Sequence, residues 1–286
     1  MEKLSLKSYA KINLCLYVLK EREDGYHEIF SVMQAIDLYD QLTLHKTEKG
    51  IDIFCDHPNV PKDEKNLAYQ AAELLFKERN LKGGVRIDIG KKIPVSAGLG
   101  GGSSNAAFTL KGINQLFDLK LSFRKLHSLA SQIGSDVPFF LYSGQAIAKG
   151  RGERIVPISL YREYWLVLVC PNFMISTARI YGDVKIDLTR DRLFINLKTC
   201  DNKDGFFETL RQFHNDLEKV VINQYAIIRQ IKEALENAGA IKSSMSGSGP
   251  TVYGVFEEKQ PAEEVARKLK EGDWQIFLTQ PIPGKS

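Results

Sequence analysis

A two-domain α+β fold is the architecture this sequence predicts, on three observations. Apolar alternation of period two marks several early strands, helical patterning follows without a regular βαβ alternation, and a polar break falls near Ser159–Glu163. With 286 residues, 43 % of them apolar, the chain can fill one large or two moderate cores. The break divides it into residues 1–160 and 161–286.

From Lys11 to Val18, Ile12, Leu14, Leu16 and Val18 fall on one side and Lys11, Asn13, Cys15 and Tyr17 on the other, as in a half-buried strand. The turn Glu23-Asp24-Gly25 follows, then strands over Ile29–Ile36, Gln41–Lys46 and Ile51–Cys55. Asn66 can cap a helix running to about Arg79 with Leu67, Ala71, Leu74 and Leu75 inward. Val85, Ile87 and Ile89 alternate again, a glycine-rich loop leads into a helix ending near Phe117, and a further helix spans about Ser122 to Ile133. Arg154–Ile158 closes the first part as a strand. Beyond the break, Trp165–Val169 reads as a buried strand, Lys185–Asp204 as a polar and poorly patterned stretch, and Asn215–Asn237 as one long amphipathic helix. Thr251–Phe256, Ala262–Lys270 and Trp274–Leu278 supply a strand, a helix and a strand.

A net charge of +4, from 39 basic and 35 acidic residues, is mild and scattered, which disfavours a dedicated nucleic-acid binder and leaves anionic small molecules as partners. The opening MEKLSLKSYAKINL has no signal-peptide apolar region and the longest apolar runs, such as Tyr164–Cys170, are too short to span a bilayer, so a cytoplasmic protein without membrane contact is expected. Cys15, Cys55, Cys170 and Cys200 are far apart, without CxxC spacing, and are expected to be buried or half-buried thiols.

The segment Pro94-Val95-Ser96-Ala97-Gly98-Leu99-Gly100-Gly101-Gly102-Ser103-Ser104-Asn105 reads as a phosphate cradle. Glycines at 98, 100, 101 and 102 let several backbone N–H groups turn toward one anion, and Ser103, Ser104 and Asn105 offer oxygens for an N-cap of the helix that follows. It is neither a Walker A loop, since no Lys follows the glycines before Lys111, nor a dinucleotide fingerprint, since Ser103 stands where Gly is required. A plain loop-to-helix joint has the same composition. Lys11 and Asn13 share one face of a strand whose other face is apolar, placing a cation and an amide on a rigid element; an ordinary exposed polar face fits the same pattern. Asp136 stands before the apolar run Val137-Pro138-Phe139-Phe140-Leu141, where a carboxylate needs a partner or a task. Pairing with a cation such as Lys11 would keep it ionised and able to take a proton from an alcohol; a turn aspartate bonded to local backbone is the alternative. Tyr26 and His27 can stack on and hydrogen-bond a flat heterocycle, or be surface residues of a turn. The second Gly/Ser segment, Ser244–Gly249, packs against a ligand or the first glycine loop, or is a tight hairpin entry.

Taken together, Ala10-Lys11-Ile12-Asn13-Leu14, Asp24-Gly25-Tyr26-His27, Gly98–Ala107, Asp136-Val137-Pro138-Phe139-Phe140 and Ser246-Gly247-Ser248-Gly249-Pro250-Thr251 resemble the GHMP kinases. The likeness runs through nearly the whole chain and is strongest to the branch that phosphorylates the 2-hydroxyl of 4-diphosphocytidyl-2-C-methyl-D-erythritol in the non-mevalonate isoprenoid pathway. The resemblance implies a ribosomal-protein-S5-like N-terminal domain and a ferredoxin-like C-terminal domain with the site in the cleft between them. It also implies ATP as co-substrate, Mg2+, and an acceptor bearing a cytidine diphosphate group. Asp136 would be the general base and Lys11 its cation. Pro94, Val95, Ser96, Ala97, Gly98, Leu99, Gly100, Gly101, Gly102, Ser103 and Ser104 would wrap the ATP phosphates, Asn66 and Lys91 would line the adenine side, and Ser104 would contact the metal. Asn13, His27 and Thr177 would bind the acceptor, with Tyr26 and Tyr181 on either side of the cytosine. A monomer or weak homodimer is expected. A related small-molecule kinase of the homoserine or mevalonate type and a non-catalytic ATP-binding sensor are the rival readings.

Overall fold

The computed structural model describes residues 2–142, 144–186 and 197–283; part of the polar stretch Lys185–Asp204 therefore lies outside the described residues. The chain forms two compact units that interleave along the sequence. The first comprises Met1–Ala10, Leu38–Val95 and Gly100–Ser143, the second Lys11–Asp37, Ser96–Leu99 and Gly144–Ser286. Their borders fall elsewhere than the single break after residue 160, because two long strands, β1 (Lys3–Glu21) and β2 (His27–Thr47), carry the chain through both units.

In the first unit the later part of β2 is joined by β3 (Gly50–Cys55), α1 (Leu67–Arg79), β4 (Gly84–Gly90), α2 (Gly101–Leu116), α3 (Phe123–Ile133) and a short 3-10 turn, Pro138–Leu141. β2 pairs antiparallel with β4, from Gln41 opposite Gly90 to Thr47 opposite Gly84, and β3 lies parallel to β4. The alternating residues Leu42, Leu44, Val85, Ile87 and Ile89 are buried, and α1 packs on α2 and α3. Asn66 and Ser122 cap α1 and α3, accepting from the backbone N–H groups of Ala68 and Lys125. The two strands expected at Ile29–Ile36 and Gln41–Lys46 are one continuous strand; the polar residues between them do not end it, since the fully buried Asp40 carboxylate finds four donors.

In the second unit β5 (Gln145–Gly150) pairs with the early part of β2 and with β6 (Arg154–Ile158). There follow β7 (Trp165–Pro171), α4 (Thr177–Asp183), α5 (Lys203–Gln212), α6 (Asp216–Gln224), α7 (Ala226–Asn237), β8 (Lys242–Met245), β9 (Val252–Phe256), α8 (Lys259–Lys268) and β10 (Trp274–Thr279). The antiparallel sheet β10-β7-β9-β8 shares one apolar core with α6, α7 and α8, including Val167, Val169, Val221, Ile228, Leu235 and Val265. The long helix expected over Asn215–Asn237 is two helices broken at Tyr225, whose backbone turns to φ −132° and ψ 87° while its ring stacks on Phe173 with centroids 5.1 Å apart. Buried positions 221 and 228 lie seven residues apart on either side, so the apolar period runs through the break and concealed it. Lys11 and Asn13 correct another expectation: each is 3 % exposed, so their side of β1 is as buried as the apolar side.

All four cysteines are buried, and none is in a disulfide. Burial pushes the Cys15 and Cys170 thiols from 9.0 up to about 12. Above pH 9 the unfolded chain sheds thiol protons that the folded chain keeps, so stability falls as pH rises, by about 1.4 kcal/mol per thiol at pH 10. Urea unfolding should give a lower midpoint at pH 10 than at pH 8. The Cys15→Ala/Cys170→Ala double variant should flatten most of that fall, and an equal fall in it would contradict this assignment.

Candidate functional site

The glycine loop takes its shape from three residues with positive φ: Ser96 at 54°, Gly98 at 77° and Gly100 at 69°. Three successive carbonyls are held by the second unit. Ala97 O accepts from Thr251 N at 3.4 Å, Gly98 O from Ser246 Oγ at 3.0 Å, and Leu99 O from Lys11 N at 3.0 Å. A trans peptide sets each C=O against the following N–H, so the N–H groups of Gly98, Leu99 and Gly100 point to the opposite side of the loop. Between its two alternatives as a protein segment, the second Gly/Ser stretch does both things: it joins the antiparallel strands β8 and β9 and packs on the first glycine loop.

Ser103, Ser104 and Asn105 do not cap the helix. α2 begins at Gly101 with Gly100 as N-cap and no side-chain capping bond, so the first-turn N–H groups and the positive end of the dipole are left for an anion. The reason is that Gly100 makes the turn itself while the polar side chains are drawn inward. Ser8 donates to Ser104 Oγ at 2.8 Å, and Asn105 Nδ2 donates to Ser8 Oγ at 3.0 Å and to Asp40 Oδ2 at 3.1 Å. Asp40 Oδ2 also accepts from Lys91 Nζ at 2.9 Å, and Asp40 Oδ1 from the N–H groups of Lys92 and Ile93, both at 2.8 Å. Lys91 further donates to Ile93 O, and burial pushes its ammonium below the usual lysine range, opposed by the attraction of Asp40. Lys91 therefore braces the run into the glycine loop, as Asn66 braces α1 by capping it and donating to Pro61 O at 2.7 Å.

Asp136 lies half-buried just before the buried Val137–Leu141 turn, which is tied to α2 by Lys111 Nζ donating to Phe140 O at 2.9 Å. Asp40 and Ser8 were absent from the sequence-based site. A lone aspartate between Leu38 and Leu42 in an apolar strand was the available signal.

In the second unit a chain of hydrogen bonds starts at Lys11. Nζ donates to Asn13 Oδ1 at 2.6 Å, Asn13 Nδ2 to Ser31 Oγ at 2.8 Å, and Ser31 Oγ to Cys15 O at 2.6 Å. Asn13 N donates to Ser246 Oγ at 3.3 Å, and Tyr253 OH donates to Asn13 O at 2.9 Å. Here the structure brings together Lys11, Asn13, Gly98 and Ser246, from three distant stretches of sequence. Ser31 and Ser246 carried no separate signal beyond belonging to quoted motifs or to a strand.

The expected aromatic residues lie in the same unit. The rings of His27 and Tyr181 are 5.3 Å apart at 38°, and Thr177 Oγ1 is 2.8 Å from Ser248 Oγ. Tyr26, half exposed, lies under the Arg151 guanidinium at 4.7 Å. Its turn is fixed by Arg22, which donates to Asp24 and to Glu28, and by Arg154, which also binds Glu28. Hydrogen bonding from Arg22 holds the Asp24 carboxyl below its usual range.

Among the described residues no group of three or more His, Cys, Asp or Glu could hold a metal ion, and Ser104 is fully buried against Ser8. These residues do not fit a protein-built magnesium site. Among the described residues no helix is long and apolar enough to cross a membrane.

Two family patterns match the chain, the GHMP kinases N terminal domain over residues 66–144 and the GHMP kinases C terminal over residues 201–273. A 4-diphosphocytidyl-2-C-methyl-D-erythritol kinase of Clostridium botulinum (strain Loch Maree) is 41 % identical over 281 residues, covering 96 % of this chain and 99 % of its own. One of Acetivibrio thermocellus is 41 % identical over 283 residues, covering 99 % and 100 %. Among solved structures, a 4-(cytidine 5'-diphospho)-2C-methyl-D-erythritol kinase superposes with TM-score 0.82 at 30 % identity, covering 98 % of this chain and 100 % of that one. A homoserine kinase from Cytophaga hutchinsonii, at 18 % identity and TM-score 0.76 over 99 % of this chain and 96 % of its own, shares the fold. Matched end to end with such relatives, and carrying both domain patterns of the superfamily, this chain belongs to the 4-diphosphocytidyl-2-C-methyl-D-erythritol kinase family of GHMP kinases.

Proposed function

We propose that this chain transfers the γ-phosphoryl group of ATP to the 2-hydroxyl of 4-diphosphocytidyl-2-C-methyl-D-erythritol in the non-mevalonate isoprenoid pathway, with Asp136 as general base and Lys11 as the cation serving the attacking oxygen. The observation that carries the reading is the glycine loop. Its carbonyls are tied down on one side, which turns its N–H groups to the other, and the helix that follows it starts without a side-chain cap, in a chain 41 % identical to kinases of that name. Phosphoryl transfer needs the phosphates held in line, their charge neutralised and a base beside the hydroxyl. Residues 94–104 hold the phosphates; Asn66 and Lys91 lie on the adenine side, acting through the backbone they brace. Asp136 takes the hydroxyl proton as the oxygen bonds to phosphorus and ADP departs. Asn13, His27 and Thr177 bind the acceptor, and Tyr26 and Tyr181 flank its cytosine. Magnesium enters as the counter-ion of the nucleotide, and no step is derived through it.

The N-terminal kinase domain of residues 1–160 and the C-terminal domain of residues 161–286 are the proposed division, with one family pattern on each side. Every proposed site residue comes from one chain, which suits a monomer or weak homodimer, and a water-soluble nucleotide-bearing substrate suits the cytoplasm.

An ADP-release assay tests the reading. Turnover is expected with the cytidine diphosphate alcohol and not with homoserine or mevalonate; the reverse pattern sinks it, and inactivity with every acceptor favours a sensor. Tyr26→Ala should raise the acceptor KM about tenfold through loss of stacking, with kcat held within a factor of about two. An unchanged KM would favour an acceptor lacking a base.

A further inference from the structure

The hydrogen bonds leading from Lys11 have a polarity with one solution. Cys15 O is a backbone carbonyl and only accepts, so the single Ser31 hydroxyl proton is committed to it. Ser31 Oγ is left as an acceptor, and the end of Asn13 that faces it must be the NH2 group. The carbonyl end of the amide then faces the Lys11 ammonium. An asparagine side chain has two nearly isosteric orientations, chosen by its partners alone. Here the choice is dictated from a main-chain carbonyl, through Ser31, to the amine.

We propose that Ser31 is a positioning residue for phosphoryl transfer: by fixing the Asn13 amide it presents a carbonyl to Lys11 and so aims the remaining N–H donors of the ammonium. The role rests on Lys11 serving the attacking oxygen. Ser31 and Cys15 are fully buried and Lys11 and Asn13 nearly so, which makes a reversed amide, with N–H groups against an ammonium, costly. The backbone of Asn13 is pinned independently, through Ser246 Oγ and Tyr253 OH, so removing the Ser31 hydroxyl frees the amide without releasing the strand.

The test is a double-mutant cycle with steady-state kinetics on the cytidine diphosphate alcohol. Ser31→Ala is expected to lower kcat about tenfold, with the ATP KM within about twofold of wild type, and Ser31→Thr, which keeps the hydroxyl, to restore most of it. In an Asn13→Ala background the same Ser31→Ala change should cost less than about twofold, because a residue acting through Asn13 has nothing left to position. Equal losses in both backgrounds, or no loss in the first, overturn the proposal. Should Ser31→Ala not fold, Ser31→Cys, a far weaker donor, carries the same comparison. A wild-type protein inactive toward the acceptor overturns the functional reading and this role with it; an active wild type with an unaffected Ser31→Ala variant overturns the role of Ser31 alone.

Discussion

Replacing Asp136 by asparagine is expected to lower kcat by about 10²- to 10⁴-fold while ATP binding and the acceptor KM change little. The substitution keeps the shape of a half-buried side chain while removing its charge and its capacity to accept a proton. Its neighbours Val137–Leu141 are buried and held by their own contacts, including Lys111 on Phe140 O, so the turn has no cause to move. The glycine loop and the start of α2 owe their shape to Gly98, Gly100, Ser246 and Asp40. The loss should therefore appear in the chemical step. Single-turnover phosphorylation separates that step from binding, and equilibrium titration with an ATP analogue measures the nucleotide. A kcat within about threefold of wild type would show that the hydroxyl proton leaves by another route; equally lost ATP affinity would make Asp136 a structural residue.

Local chemistry made much of this legible before any coordinates. Asn66 was readable as a cap because a cap is set by a side chain and the two or three residues after it. The strand at Trp165 and the alternation at Val85–Ile89 follow from short periods in the same way. The turning of the glycine loop was readable, but the way it leads into the helix was not: Ser104 and Asn105 look like capping residues, and only distant Ser8 and Asp40 draw them inward. Asp40 shows the limit most clearly, since its donors come from residues 91, 92, 93 and 105, which no local pattern joins to position 40. Lys11 and Asn13 were correctly placed on one face of a strand; their burial was hidden because it depends on Ser31, Ser246 and Tyr253. The break at Tyr225 escaped for the opposite reason, a period that continues across it.

The same dependence on remote partners makes Gly98→Ala the second large effect. A Cβ at Gly98 would lie 2.2 Å from Ser246 O and 3.1 Å from Gly249 O, both main-chain atoms that no rotamer change can clear. Its φ of 77° adds about 1–2 kcal/mol of strain for any L side chain. The loop must therefore shift away from Ser246, loosening the bond from Ser246 Oγ to Gly98 O that keeps the adjoining N–H groups turned to the other side. ATP KM should rise at least about tenfold and kcat should fall with it, because phosphates held out of line lose positioning in both ground and transition states. Gly239→Ala is the control: φ is 92° there, nothing lies within 4 Å of the added Cβ, and the position carries strain without a clash. It should cost about 1 kcal/mol or a little more of stability in urea unfolding and leave both kinetic constants unchanged. If Gly98→Ala behaves like Gly239→Ala, stability reduced and ATP KM intact, the loop does not hold the nucleotide through its backbone and the phosphate cradle must be sought elsewhere in the chain.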